Sequence, residues 1–152
     1  MAKFSFNGVD SLEASFEQLA QLSDDEKVSI LMPSAQLLLQ RQKEKLLQLF
    51  KRRTGDLENS LTISVEDGDD GPKVTIYPEG KHRNAFTGKR KRDGKSRGKY
   101  SGTNAEIAYI LNYGSPRIAA THWLENANEE AEAEVIASQQ DAFNDLLEKK
   151  GL

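Results

Sequence analysis

The stretch SLTISVEDGDDGPKVTIYP, residues 60–78, decides the fold of this chain. Apolar and polar residues alternate in both of its arms, and the apolar positions are Leu61, Ile63, Val65, Val74 and Ile76. Alternation of this kind is the pattern of a half-buried β-strand. The intervening DGDDG has the composition of a turn, so the stretch predicts a β-hairpin. A hairpin alone is marginal in water, and other elements must cover its apolar face.

Before the hairpin, the apolar period changes to that of a helix. SAQLLLQRQKEKLLQLFKRR, residues 34–53, consists mostly of good helix formers and carries an apolar stripe. Its basic end suits the negative end of the helix dipole, and Gly55 is the expected stop. Pro33 is expected either to kink the preceding helix or to begin this one, and the second is favoured because a proline in the first turn lacks only an N–H that would be unpaired anyway.

The first 33 residues are predicted to form a helical segment. Leu12, Phe16 and Leu19 follow a helical period and predict a short amphipathic helix over 11–22. The sequence SDDE, residues 23–26, has the form of a capping box and predicts a second helix start.

After the hairpin, two more elements are expected. AEIAYILNYG, residues 105–114, predicts a third strand, with Ile107, Tyr109, Leu111 and Tyr113 on one face. A long helix is then predicted from about 121 to 149, with Thr121 as its cap, Gly151 as its stop and many acidic residues in its first half.

These elements predict one α+β domain spanning residues 1–152, with a small antiparallel sheet and long helices packed on one face. The expected order is α-α-β-β-(long basic loop)-β-α, with a helical segment at 1–33 and a core domain at 34–152. The expected core residues are Leu38, Leu46, Leu49, Phe50, Leu61, Ile63, Val65, Val74, Ile76, Ile107, Tyr109, Leu111 and Trp123.

Positive charge is concentrated in KHRNAFTGKRKRDGKSRGKY, residues 81–100, called here the basic segment. Its cations are Lys81, Arg83, Lys89, Arg90, Lys91, Arg92, Lys95, Arg97 and Lys99. The whole chain nevertheless has a formal charge of −3, so the remainder is strongly acidic. A loop of this length is usually functional or disordered. Three interpretations are open: a loop held by a protein partner, a flexible solvated loop, and a nucleic-acid contact through phosphates.

Chemical motifs are weak. The chain has no cysteine, so disulfides and thiolate metal sites are excluded. The glycines before DGKSRG do not have phosphate-loop spacing, and EDGDDG lacks the alternating ligands and distal Glu of a calcium loop. His82 and His122 have no partners at ligand spacing. We therefore expect neither an enzyme nor a metal or cofactor site.

The sequence shows no signal peptide and no apolar run of bilayer length, which predicts a soluble cytoplasmic product.

Two further stretches carry a family resemblance. RRTGDLENSLTISV, residues 52–65, and AEIAYILNYGSPRIAATHWLENA, residues 105–127, resemble two segments of the phage tail-component family typified by gene product 10 of phage HK97. Their order and separation also agree with that family. Ser115 stands where the family usually has Thr, the family's proline before the aromatic is missing, and the basic segment is longer and more basic than the family pattern. The motif residues are Arg53, Thr54, Gly55, Asp56, Leu57, Tyr109, Tyr113, Gly114 and Trp123.

The resemblance implies a structural component of a tailed phage or prophage particle. Such a protein would act in tail completion or head–tail joining, as a ring of identical subunits, either a hexamer or a dodecamer. Its expected partners are other copies of itself and connector and tail-tube proteins, with contact to phage DNA in the lumen left open, and no membrane is expected. Its expected location is the neck or tail of the virion, and the host cytoplasm during assembly. The alternative from a different class is a small nucleic-acid-binding protein that uses the basic segment.

Overall fold

The computed structural model describes residues 20–50, 55–81 and 102–151. It has a small two-stranded antiparallel sheet combined with helices, which is an α+β fold. In chain order the elements are α1 (Asp24–Leu49), α2 (Asp56–Ser60), β1 (Leu61–Gly68), β2 (Gly71–Pro78), α3 (Asn104–Tyr113) and α4 (Trp123–Lys150).

Helix α1 begins with the predicted capping box. The Ser23 side chain accepts from the N–H of Glu26, and the Glu26 carboxylate accepts from the N–H of Ser23. The helix then continues through Pro33, so the prediction that Pro33 starts a separate helix is wrong. It ends at Leu49 with Phe50 as its cap, which also makes Gly55 wrong as its stop. Gly55 instead precedes the single-turn helix α2, with a left-handed φ of 73°.

The hairpin is confirmed. Strands β1 and β2 pair in a register that places Ile63 opposite Ile76 and Val65 opposite Val74. Directly opposed residues share a face of the sheet, so the predicted apolar residues of the two arms lie together. The hairpin packs against α1, which supplies the cover that an isolated hairpin lacks.

The predicted third strand is a helix, α3. The side chain of Thr103 caps it by accepting from the N–H of Glu106. The buried residues are Asn104, Ala108 and Asn112, which is a spacing of four and therefore one helical face. The alternation of Ile107, Tyr109 and Leu111 was misleading, because apolar residues fill several faces of this short segment. The expected order of elements is corrected accordingly.

Helices α1 and α4 form an antiparallel pair, the most extensive contact between elements of the described structure. The small residues Ala127 and Ala131 are buried in α4 and let the helices approach closely. Gly151 ends α4 with a left-handed φ of 75°, as predicted. The predicted cap Thr121 is wrong: His122 occupies that position and makes no side-chain capping bond, while the Thr121 hydroxyl donates to the carbonyl of Leu111.

The core lies where the C-terminal half of α1, the start of β1, α3 and the start of α4 meet. Of the predicted core, Leu46, Leu61 and Trp123 are buried, and Phe50 and Leu111 pack against them. Three predicted core residues are wrong, because Leu49, Val65 and Tyr109 are exposed. Tyr109 is exposed because the helical period turns it away from the face that buries Ala108.

Candidate partner-binding surfaces

The start of the basic segment is held beside the residues that precede α3. Lys81, its first residue, forms an antiparallel bridge with Thr103, just before α3. Beside this bridge, the backbone N–H of the buried residue Asn104 donates to the carbonyl of Gly80 at 3.0 Å. The Asn104 side chain donates to the carbonyl of Glu79 at 2.8 Å. Whatever the segment contacts, its base is therefore fixed next to the N-terminus of α3.

Most of the predicted contact residues lie outside the described part of the chain. Lys81 is described and exposed. The others fall in 82–101: Arg83, Lys89, Arg90, Lys91, Arg92, Lys95, Arg97 and Lys99. The motif residues Arg53 and Thr54 are likewise outside the described residues.

The body from which the basic segment departs is acidic. The described residues include 20 Asp or Glu and nine Lys or Arg. Part of this charge is neutralised between α1 and α4: the Arg41 guanidinium donates to Glu134, Lys45 pairs with Glu130, and Lys150 pairs with Glu26. The Arg41–Glu134 pair is exposed and stabilises the fold only weakly, while Lys45 and the Lys150–Glu26 pair are partly covered.

Several carboxylates are left over. Glu129, Glu132, Asp141 and Asp145 of α4 form no ion pair with another residue of the described ranges, and all four are exposed. The four acidic residues of the hairpin turn, 66–70, form none either within those ranges. An acidic surface of this kind attracts cationic partners.

The chain between α3 and α4 is tightly fixed by hydrogen bonds. Gly114 ends α3 with a φ of 82°, and an added Cβ would lie 2.8 Å from the backbone nitrogen of Ala120. Only glycine meets both conditions without strain. The 115–118 turn closes on itself, because the N–H of each end residue donates to the carbonyl of the other, at 2.8 and 3.1 Å.

Asn112 is the residue that sequence patterns missed. Its side chain is only 2% exposed. Its amide oxygen accepts from the N–H of Leu124 and its amide nitrogen donates to Glu125, so it joins α3 to the first turn of α4. Hydrogen bonds from its own backbone N–H and from Asn112 lower the pKa of Glu125. Asn112 falls within the predicted strand 105–114, and nothing in the one-dimensional pattern indicates its burial.

Tyr109 and Tyr113 form an exposed aromatic pair on α3. They are 64% and 54% exposed, and their ring centroids are 4.7 Å apart. The His122 ring lies edge-on to Tyr113, with the centroids 6.4 Å apart. Trp123, by contrast, is buried, and its indole N–H donates to the carbonyl of Ala108. The motif aromatics thus divide into one core anchor and two surface residues.

Exposed apolar residues outnumber large buried ones in the described structure. Leu46, Leu61 and Trp123 are the large buried side chains. The exposed set is Leu47, Leu49, Val65, Tyr77, Tyr109, Tyr113, Ile118 and Ile136. Singly exposed apolar residues are normal at protein surfaces, whereas adjoining ones such as Tyr109 and Tyr113 are the kind that interaction surfaces contain.

A shallow groove of about 460 Å³ lies between α1 and α4. Pro33 and Leu37 form its α1 wall, and Ala137 and Ala142 contribute apolar surface from α4. Its acidic residues are Glu134, Asp141 and Asp145.

Among the described residues, no cluster of His, Asp or Glu could hold a metal ion, and no helix is long and apolar enough to cross a membrane.

Compared with known proteins, the chain matches no family model, no curated protein and no solved structure.

Proposed function

We propose that this protein is a non-enzymatic assembly component of a tailed phage or prophage, which forms a ring in tail completion or head–tail joining. The observation that carries the proposal is the excess of exposed over buried large apolar side chains in the described residues. A chain that leaves Tyr109, Tyr113 and Ile118 in water gains free energy by covering them with another copy or a neighbouring protein.

Charge supports the same proposal. The basic segment leaves the acidic body at a fixed base, the Lys81–Thr103 bridge. In a ring, each subunit presents one surface to the next and a different surface to the previous one. A cationic segment and an anionic helix on the same chain are complementary surfaces of this kind, and they favour one orientation of the contact. The likeness of 52–65 and 105–127 to the phage tail-component segments adds to this argument.

Nucleic-acid binding through the basic segment is the second candidate, favoured by its nine cations within 20 residues. The two candidates differ in what a deletion of residues 84–98 does. On the assembly proposal, the deleted protein keeps its circular dichroism spectrum and melting temperature but loses ring formation or docking on tail tubes. On the nucleic-acid proposal, it loses DNA binding.

Salt titration of DNA binding by the intact protein is the companion measurement. If the basic segment binds phosphates, the slope of log K against log salt is about −0.9 for each phosphate contacted. A slope equivalent to several phosphates that disappears with the deletion, in a protein that forms no rings, would overturn the assembly proposal.

A further inference from the structure

The 115–118 turn and the α1–α4 groove carry opposite charges beside apolar surface. The turn protrudes: Ser115, Pro116, Arg117 and Ile118 are all exposed, and Ile118 exposes 44% of its surface. The groove is concave, with apolar surface and two exposed carboxylates, Asp141 and Asp145, that form no ion pair among the described residues. An apolar side chain next to a guanidinium is the ligand that such a groove would accept.

The turn is already held in one conformation. Its end residues exchange backbone hydrogen bonds, and the Ser115 hydroxyl accepts from the N–H of Arg117. The close approach of Gly114 to Ala120 fixes the chain behind it. A preorganised turn loses little conformational entropy when it binds, so more of the contact energy appears as affinity.

The turn cannot enter the groove of its own chain. It precedes α4 directly, and the residues after it are bonded to α3, through Thr121 to Leu111 and His122 to Asn112. The groove residues of α4 centre about 17 positions beyond Trp123, which is roughly 25 Å along the helix axis. The two surfaces therefore meet only when they belong to different copies.

We infer that Arg117 and Ile118 of one copy dock in the groove formed by Pro33, Leu37, Ala142 and Asp145 of the next copy. The inference rests on the proposed ring and names the contact that builds it. Because the contact joins two different surfaces, it is heterologous, and it closes into a ring or extends as a filament according to the rotation between copies. Arg117 supplies the guanidinium opposite Asp141 and Asp145, and Ile118 covers the apolar surface.

Cysteine cross-linking tests the contact directly, because the natural chain has no cysteine. Oxidation of the double variant Ile118→Cys/Ala142→Cys should give a ladder of covalent multimers on a non-reducing gel. The matched control Asp69→Cys/Ala142→Cys, with one cysteine in the hairpin turn instead, should give no ladder above dimer. Native mass measurement of the unmodified protein accompanies both.

A charge exchange provides the second readout. Arg117→Glu or Asp145→Arg alone should weaken self-association by about tenfold or more, because like charges then face each other. The double variant carries both changes in every copy, so positions 117 and 145 again pair opposite charges while Asp141 is unchanged, and association should recover in part. Asp69→Arg is the control that changes net charge outside the groove and should leave association unchanged.

The outcomes separate this inference from the proposed function. Multimers without the ladder or the recovery overturn the inference and leave the ring standing. A protein that is monomeric and ignores tail tubes overturns both. A Phe16→Cys/Ala142→Cys variant that forms a disulfide within one chain would show that the groove holds the chain's own N-terminal segment, which also overturns the inference.

Discussion

At the scale of single residues, Gly114 carries the strictest backbone requirement in the described structure. Gly114→Ala should lower the free energy of unfolding by about 2 kcal/mol or more, because it adds a backbone clash to an unfavourable φ. Gly151→Ala is the matched control. It has a similar φ, 75°, but nothing lies within 4 Å of the added Cβ, so it should cost only about 1 kcal/mol. If urea unfolding shows the same loss of unfolding free energy for both variants, the close approach of Gly114 to the Ala120 backbone is not what makes glycine necessary.

Asn112 is the second test at this scale. Asn112→Ala removes the acceptor of the Leu124 N–H and the donor to Glu125, and leaves those groups without their partner in a buried region. We expect a loss of about 1–3 kcal/mol in thermal or urea unfolding. Asn126→Ala is the control, since Asn126 is exposed and its side chain makes one 3.3 Å bond to the carbonyl of Thr121. If Asn112→Ala is as stable as Asn126→Ala, the hydrogen bonds of Asn112 between α3 and α4 contribute little to the free energy of unfolding.

Sequence patterns identified some of these residues and missed others, for physical reasons. Leu61 begins the alternating strand pattern and Trp123 begins the long helix pattern. Both are large apolar residues on the apolar face of their element, so their burial could be predicted. Asn112 could not be found, because asparagine is mostly exposed and its burial depends on α4 returning to the end of α3. Tyr109 was wrongly assigned to the core. Its spacing of four residues from Tyr113 places the two on one face in a strand and in a helix alike, so a segment of ten residues does not separate the two structures.

At the scale of elements, the α1–α4 pair should contribute a pH-dependent part of stability. A hydrogen bond from Lys150 and one from the backbone N–H of Ser23 lower the pKa of Glu26 below its ordinary 4.5. Hydrogen bonds from Gln40 and Arg41 lower the pKa of Glu44 in the same direction. A carboxyl whose pKa is lowered by folding stabilises the protein above its unfolded pKa, and this contribution is lost as pH falls through the folded value.

The melting temperature of the Glu26→Gln variant against the unmodified protein measures this effect. Gln at this position keeps a capping-box acceptor and removes only the charge. The unmodified protein should melt at a slightly higher temperature near about pH 7, and the difference should shrink as the pH falls through the lowered pKa of Glu26. A difference that stays constant over this range would mean that the Lys150 pair contributes nothing.

Element prediction succeeded where local signals and tertiary packing agree. The hairpin combines a turn-forming DGDDG with alternation in both arms, and the observed register places the predicted apolar residues Ile63 and Ile76 opposite each other. The segment 104–113 contains an opposing local signal, Thr103 three residues before Glu106, which is the form of a helix cap. The structure follows that signal and buries the helical face of Asn104, Ala108 and Asn112. The long α1 also passes through Pro33, because packing against α4 offsets the missing hydrogen bond.

At the scale of the whole molecule, the described residues bury only a small apolar core. The described part has one compact cluster around Leu46, Leu61, Ala108 and Trp123, and the outer half of α4 contacts only α1. Exposed apolar residues and unpaired carboxylates are spread over the remainder. The sequence predicted the separation of charge, since that depends only on the order of residues along the chain. The groove and the 115–118 turn could not be predicted, because they depend on how α1, α3 and α4 are placed in space.

Native mass spectrometry of the purified protein, alone and mixed with tail tubes, tests the central claim most directly. The account predicts discrete multimers, or complexes with tubes, that dissociate as concentration falls, because self-association covers the exposed apolar surface. The same measurement on the residue 84–98 deletion should show a folded protein with impaired assembly. A strict monomer at all concentrations that also ignores the tubes would contradict the account.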